Sequence, residues 1–244
     1  KYGKRTRVGF NVLFKTPSLL FRVFREHLLL GKIVRKYRID AVISDNRYGL
    51  WNRKVYTVFM THQLNIIAPE FLKFSEPFLR ASVRYFAEKY NECWIPDNEG
   101  DDNLSGILSH GNGNPKNALY IGQLSRFDRK EFIRAEKQYD LVAIVSGPEP
   151  QRGVFENKLL GQLPVEGKKC LIIRGLPGDM RITNLRSNLD VANHLSAGQM
   201  QGILTYKPVV VCRPGYSTLM DIAYTGNKAI LIPTPGQTEQ EYLA

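Results

Sequence analysis

The sequence predicts an α/β protein built from two doubly wound, Rossmann-like parallel-sheet domains. Three observations favour this fold class. Short apolar runs alternate with longer stretches whose apolar residues recur at helical spacing. Each apolar run ends in a Gly, Pro or polar cluster, as buried parallel strands do. A stretch rich in Gly, Asn and Ser, residues 101–117, interrupts the alternation. We therefore expect a domain over residues 1–100, a linker over 101–125 and a second domain over 126–244.

The first half contains the following predicted elements. The run TRVGF near the start is too short to assign, and helical spacing follows over residues 18–37. Residues 39–46 and 54–63 are predicted strands that end in polar turns. Residues 69–91 form a predicted amphipathic helix that Pro77 interrupts, and a further strand follows over 92–99.

The second half repeats the same alternation. Strands are predicted over residues 118–123, 140–147, 168–175, 208–212 and 228–233. Helices are predicted over residues 128–138, 151–162, 197–206 and 217–225, and the stretch after residue 175 is irregular. In such sheets ligands bind beyond the carboxyl ends of the strands, so we expect function in the turns found there.

Charge is distributed unevenly along the chain. Residues 1–93 hold 18 Lys and Arg against 7 Asp and Glu, whereas residues 94–244 hold 16 of each. A basic half indicates an anionic partner (nucleic acid, phospholipid or phosphorylated substrate) or simply a solvated face. No apolar run is long enough to span a membrane, and no signal-peptide pattern follows Lys1. The three cysteines lie in or beside apolar runs, which is typical of a reducing compartment.

Three strand-end turns in the second half are candidates for anion binding: residues 146–156, 174–179 and 213–221. The first and third run directly into predicted helices, whose free N–H groups and positive dipole favour a phosphate. Ser217 and Thr218 could alternatively only cap their helix. Two such turns on neighbouring strands indicate a diphosphate. The four histidines are scattered and no Asp-x-Asp motif suited to a metal occurs, so no metal site is expected.

The sequence VVVCRPGYSTLMDIAYTGNKAILIPTPGQTEQEYLA, residues 209–244, resembles the C-terminal domain of inverting glycosyltransferases of the glycosyltransferase-B fold. The most similar class is the N-acetylglucosaminyltransferase that makes the peptidoglycan lipid precursor, with the plant galactolipid synthases as relatives. The resemblance implies that a nucleotide sugar, usually a UDP-sugar, binds between two domains.

The resemblance also implies roles for individual residues. Gly215, Ser217 and Thr218 would hold the diphosphate, with Arg213 nearby and Asp221 on the ribose hydroxyls. Further residues would contact the sugar hydroxyls, the uracil ring and the phosphates of the donor. These are Gln237, Glu239 and Gln240 for the sugar, Ser196 and Ala197 for the ring, and Arg126 for the phosphates.

Two departures from the family pattern stand out. In the first turn, after Gly147, Pro148 and Pro150 offer no N–H, so Arg152 is expected to replace them as a charged phosphate contact. The family's opening strand and Gly-rich loop are missing, and so are its closing helices, so we expect a chain truncated at both ends.

In the first half, THQLNI at 61–66 resembles the family's turn on the acceptor side, which implies roles for His62 and Asn65. His62 is a candidate catalytic base or a merely positioning residue, and Asp45, expected to be buried at a strand end, is the competing base.

These observations predict a metal-independent inverting hexosyltransferase without a cofactor, since the nucleotide sugar is a substrate. Its acceptor is unknown and could be lipid-linked. Alternatives are a nucleotide-sugar 2-epimerase of the same fold and a basic nucleic-acid-binding module, although no nucleic-acid motif is present. Two interpretations are open for the basic helix 18–38 and the aromatic stretch 69–90. Either their aromatic residues belong to the core and their charges form a solvated rim, or this face rests on anionic lipid. We expect a cytoplasmic location, peripheral on the inner face of the membrane if lipid is bound.

Overall fold

The computed structural model describes residues 5–111, 113–127 and 135–244, and of residues 5–19 only the backbone. The chain divides into two compact units, Lys1–Gly122 and Gln123–Ala244. Both are α/β with parallel sheets, as the sequence predicts. Residues 128–134 of the predicted helix 128–138 lie outside the described residues, and residues 135–138 are not helical.

The first unit contains a four-stranded parallel sheet in the order β1-β2-β3-β4. A long helix, α1 (Arg5–Tyr37), precedes β1 (Ala41–Asp45) and β2 (Tyr56–Met60). A 3-10 helix (Glu70–Ser75) then leads into α2 (Glu76–Ala87), which carries Pro77 in its first turn. Proline is tolerated there because the N–H groups of a first turn have no acceptor within the helix, so the predicted interruption is a helix start. The strand β3 (Glu92–Ile95) follows, then a 3-10 turn (Gly106–Leu108) and β4 (Ala118–Tyr120).

Residues 101–122 differ from the predicted linker. The strand β4 pairs in parallel with β3, so it completes the first sheet and does not open the second half. The preceding loop is anchored by Asp97, which is fully buried and accepts the backbone N–H groups of Leu104 and Ser105 and the Ser105 hydroxyl. Burial alone would raise the pKa of Asp97, but these hydrogen bonds outweigh it and hold the pKa below its ordinary value. A Gly- and Asn-rich composition here reflects tight turns and not a free linker.

The second unit contains a six-stranded sheet in the order β10-β9-β5-β6-β8-β7. Its chain order is β5 (Leu141–Ile144), α3 (Gln151–Gln162), β6 (Cys170–Ile173), β7 (Ile182–Arg186), β8 (Leu189–Ala192) and α4 (Ala197–Leu204). Then come β9 (Val209–Cys212), α5 (Tyr216–Thr225), β10 (Ala229–Leu231) and α6 (Thr238–Leu243). All neighbouring strands run parallel except β7 and β8.

The hairpin β7–β8 lies in the stretch after residue 175 that is predicted to be irregular. Arg186 and Leu189 are register partners, so Ser187 and Asn188 form the connection, and Asn188 has a φ of 60°. Asparagine tolerates this left-handed conformation better than most residues do. The dipeptide Ser-Asn was the sequence signal for this turn. It was missed because β7 is a largely exposed edge strand without an apolar run.

Alternate residues of the central strands face two separate cores, as expected of a sheet covered on both sides. Ala143, Val145 and Ile172 pack with Phe155 of α3. Val142, Ile144, Leu171 and Ile173 belong to the other cluster, which includes buried residues of α4 and α5. The second unit is therefore doubly wound, and the helices that follow β5, β8 and β9 start at the carboxyl edge of one sheet.

Candidate functional site

The turn between β9 and α5 leaves a helix N-terminus open. Gly215 is the N-cap residue, with φ −75° and ψ 136°, and it provides no side-chain cap. The Ser217 side chain is exposed and Thr218 is half-buried, and neither hydroxyl caps the helix. Capping, the alternative considered for these hydroxyls, is therefore not their role. The N–H groups of the first helical turn lack intrahelical acceptors, so this end of α5 can accept an anion.

Space in front of this turn is also available. A Cβ atom added to Gly215 would have Thr218 Oγ1, at 3.9 Å, as its nearest neighbour outside the adjoining residues. The protein itself therefore does not require glycine at this position, either for backbone conformation or for packing. A glycine here suits the close approach of another molecule to the backbone.

Arg213, at the start of the same turn, is a buried cation. Its side chain donates from Nη1 to the carbonyl oxygen of Ile232 at 3.2 Å, and its guanidinium carbon lies 4.5 Å from the centre of the Phe155 ring. Only 7% of the residue is exposed, and this burial lowers the pKa of Arg213. No described carboxylate forms an ion pair with it. A buried charge without a counter-charge is costly, so the turn 213–218 favours an anionic ligand electrostatically.

The N-terminus of α3 is already occupied by the protein's own carboxylate. Glu149 accepts the backbone N–H of Gly153 at 3.0 Å and pairs with Arg152 at 2.5 Å. The hydrogen bond from Gly153, followed by that from Arg152, lowers the pKa of Glu149. Arg152 also binds Glu156 at 2.6 Å, and its side chain is only 11% exposed. Arg152 therefore differs from the predicted free phosphate contact, because two carboxylates hold it. Gly147, with φ 100°, lies exposed ahead of this helix.

Two residues predicted at the sugar-donor site, Arg126 and Asp221, contact each other directly. Arg126 Nε lies 2.8 Å from Asp221 Oδ2, and the Asp221 side chain is 8% exposed. Asp221 Oδ1 accepts the Ser125 hydroxyl at 2.8 Å and the Arg126 backbone N–H at 3.3 Å. Asp221 thus fastens the beginning of the second unit to α5. The predicted ribose and phosphate contacts by these residues remain predictions.

The other predicted donor-side residues lie at two further helix starts. Ser196 caps α4 through a capping box, in which Gln199 N–H bonds to its hydroxyl at 3.2 Å and Gln199 Oε1 accepts the Ser196 N–H at 3.0 Å. Ala197 is the first residue of that helix and is half-buried. Gln237 is the N-cap of α6, and Glu239 lies in its first turn. Gln240 Oε1 accepts the Thr234 N–H at 2.8 Å, so this side chain holds the loop before α6.

In the first unit, Asp45 and His62 lie at the carboxyl ends of neighbouring strands. Asp45 is the register partner of Met60, and the N–H of Asn46 bonds to Met60 O at 2.9 Å. The Asp45 residue is exposed, whereas its prediction as a base assumed a buried carboxylate. His62 is half-buried. Asn65 donates from its side chain to Ile107 O at 2.7 Å, so it anchors the 3-10 turn there.

The first unit also presents a basic and aromatic surface. Arg22, Arg25, Lys32 and Arg47 line a cavity of about 510 Å³, together with Glu26 and two leucines. Phe74 is 80% exposed and Phe78 is 71% exposed, so assigning these two aromatic residues to the core is wrong. Large apolar side chains on α1 are exposed too: Leu20, Phe21, Phe24, Leu28 and Leu29. Within the described residues, no helix combines the length and hydropathy that a bilayer-spanning segment needs.

Glu156 and Arg174 lie in the predicted candidate turns but had no individual role there, and Asn193 lies outside those turns. All three join Arg152 at the carboxyl edge of the second sheet. Glu156 bonds to Arg152 and to Arg174 Nε, and Asn193 Oδ1 accepts from Arg174 Nη1 at 3.1 Å. The spacing of Arg152 and Glu156, one helical turn apart, was the available signal. In the described part of the chain, no three His, Cys, Asp or Glu side chains are grouped so that they could hold a metal ion.

One protein-family model matches the C-terminal quarter of the chain. Residues 183–244 match the model of the glycosyltransferase family 28 C-terminal domain. This segment contains the open turn 213–218, Arg213 and Asp221. No curated protein matches the chain significantly.

Comparison with solved structures extends over most of the chain. The glycosyltransferase of kitacinnamycin matches with a TM-score of 0.56 and 13% identity, covering 94% of this chain and 67% of its own. The spinosyn rhamnosyltransferase SpnG, complexed with thymidine diphosphate, matches with a TM-score of 0.54 and 15% identity. The match covers 99% of this chain and 67% of SpnG. The calicheamicin glycosyltransferase CalG4 matches with a TM-score of 0.57 and 9% identity. The match covers 94% of this chain and 68% of CalG4. The chain thus spans about two-thirds of the length of these proteins.

Such low identities establish the fold alone. The chain accordingly has the α/β fold of the glycosyltransferase-B enzymes, and its residues 183–244 match the glycosyltransferase family 28 C-terminal domain.

Proposed function

We propose that the protein transfers a sugar from a nucleoside diphosphate sugar, with UDP as the nucleotide, to an acceptor hydroxyl with inversion and without a metal ion. The observation that carries the proposal is the open N-terminus of α5 beside the buried Arg213, in the segment that matches the family 28 domain. A diphosphate supplies the negative charge that Arg213 lacks among the described residues.

The chemistry follows from this arrangement. The acceptor hydroxyl attacks the anomeric carbon, its proton passes to a base, and the bond to the diphosphate breaks. The N–H groups of Ser217 and Thr218 stabilise the charge that develops on the leaving diphosphate, because they are fixed by the helix before the reaction begins. We propose His62 as the base, with Asp45 as the competing candidate, since each follows or ends a strand of the first unit.

The sugar is proposed to be a hexose, and the acceptor to be lipid-linked, as in the peptidoglycan-precursor and galactolipid enzymes that the sequence resembles. The basic cavity lined by Arg22, Arg25, Lys32 and Arg47 supports contact with an anionic lipid surface, as do the exposed Phe74 and Phe78. The location proposed for such an enzyme is the cytoplasmic face of a membrane.

The test is calorimetry in the presence of a chelator, with UDP, TDP and a short DNA duplex as separate titrants. We expect UDP to bind and the duplex not to bind. Incubation with UDP-hexoses and candidate acceptors, followed by detection of released UDP, then tests transfer. Binding of the duplex without binding of either nucleotide would replace the proposal with a nucleic-acid-binding function.

A further inference from the structure

We propose that Arg174 contacts the diphosphate of the sugar donor and that Glu156 is the positioning residue that holds it. This inference rests on the proposed function. It replaces Arg152, the arginine that the sequence suggested for the same task, with Arg174, a residue of the candidate turn 174–179 that had no individual role in the sequence prediction.

The position of Arg174 follows from the strand order. It is the first residue after β6, which lies between β5 and β8. Its backbone N–H bonds to Ala192 O, at the end of β8, at 2.9 Å. On the other side, Gly175 has φ 65°, and a Cβ atom there would lie 2.4 Å from Val145 O, just after β5. Arg174 is therefore flanked by the turns that lead into α3 and α4, at the carboxyl edge where ligands bind in such sheets.

The guanidinium of Arg174 is held on two sides. Its Nε donates to Glu156 Oε1, and its Nη1 donates to Asn193 Oδ1 at 3.1 Å. Nη2 has no hydrogen bond to the described residues, and 38% of the side chain is exposed. An arginine fixed in this way offers a charged hydrogen-bond donor to a ligand and loses little rotamer entropy when it binds.

The charges of the cluster leave Arg174 only partly neutralised. Glu156 has a side chain only 6% exposed and shares its single charge between Arg174 and Arg152. Arg152 has a second carboxylate, that of Glu149, whereas Arg174 has none among the described residues. Arg152 is thus buried and held by two carboxylates, whereas Arg174 shares one carboxylate with it and is the more exposed of the two cations. A phosphate would find its complementary charge at Arg174.

The test compares UDP with uridine, which lacks the phosphates, by calorimetry on the whole chain. We expect Arg174→Gln to weaken UDP binding about tenfold, as for loss of one charged hydrogen bond, and to leave uridine binding unchanged. Glu156→Gln should weaken UDP binding in the same selective way, because Arg174 loses its anchor. Arg186→Gln is the matched control, since Arg186 is an exposed arginine of the same unit that bonds to Leu160 O, and we expect it to bind UDP like the wild type.

The outcomes separate this inference from the proposed function. If the wild type binds UDP and the folded Arg174→Gln variant binds it equally well, Arg174 is not a phosphate contact and the inference is overturned. If the wild type binds neither UDP nor TDP, the proposed function fails first. If Arg174→Gln unfolds, Arg174→Lys keeps the charge and must still weaken UDP binding more than uridine binding. Equal losses for both ligands would reduce Arg174 to a structural residue.

Discussion

Replacing Gly215 by valine should weaken nucleotide binding strongly without harming the fold. The backbone of Gly215, with φ −75° and ψ 136°, lies in the β region that valine prefers. A Cβ atom there would have Thr218 Oγ1 as its nearest neighbour, at 3.9 Å, which is an ordinary contact. We therefore expect the free energy of unfolding to stay unchanged or to rise by about 0.4–1 kcal/mol, because valine restricts the unfolded chain.

The same side chain should exclude the diphosphate. Its methyl groups would fill the space before the N–H groups of Ser217 and Thr218. Each hydrogen bond to a charged group contributes about 1.5–3 kcal/mol, so losing two costs at least about 3 kcal/mol, or a factor of about 150 in the dissociation constant of UDP.

The assay is calorimetric titration of UDP with a chelator present, together with urea unfolding of each variant. Gly215→Ala should give an intermediate loss, because it adds one methyl group. Gly161→Ala, at an open position of α3, is the control that should bind UDP normally. A folded Gly215→Val variant with wild-type affinity for UDP would show that the phosphates bind away from the N-terminus of α5.

Three further predictions concern separate parts of the molecule. Asp221→Ala should lower the free energy of unfolding by about 1–3 kcal/mol in urea titrations, because it removes the acceptor of Ser125 and Arg126, and should weaken UDP binding by a similar amount. Asp97 has a pKa below its ordinary value of 3.8, so its stabilisation is complete at neutral pH and is lost as the pH falls through the lowered pKa. The free energy of unfolding of the Asp97→Asn variant should therefore fall less between pH 7 and pH 2 than that of the wild type. The protein should co-sediment with vesicles of anionic lipid at low salt and dissociate from them at high salt. If the protein stays in the supernatant with anionic and with neutral vesicles, an anionic lipid surface is not its partner.

The sequence predicted the elements whose signals are local. Val209–Cys212 is a run of four apolar residues that ends at Arg-Pro-Gly, and it is a buried central strand. The helix after it begins at Tyr216, one residue before the predicted start. Apolar runs and Gly or Pro breaks are properties of a few neighbouring residues, so a sequence contains them in full.

The missed features depend on side-chain contacts that form only in the folded chain. The composition of residues 101–117 could not show that Asp97 organises the loop, because the N–H and hydroxyl donors reach its carboxylate only in the folded unit. Glu149 occupying the N-terminus of α3 was likewise hidden, since the prolines around it indicated only a lack of N–H groups. The partners of Arg174 come from α3 and from the turn after β8, and no spacing along the chain relates them.

We propose that a nucleoside diphosphate binds to the second unit with its phosphates at the N-terminus of α5. Crystals soaked with UDP and a chelator test this most directly. We expect phosphate density within hydrogen-bond distance of the Ser217 and Thr218 N–H groups, with Arg174 Nη2 as a further contact. UDP density away from the turn 213–218, or none at saturating UDP, would contradict it.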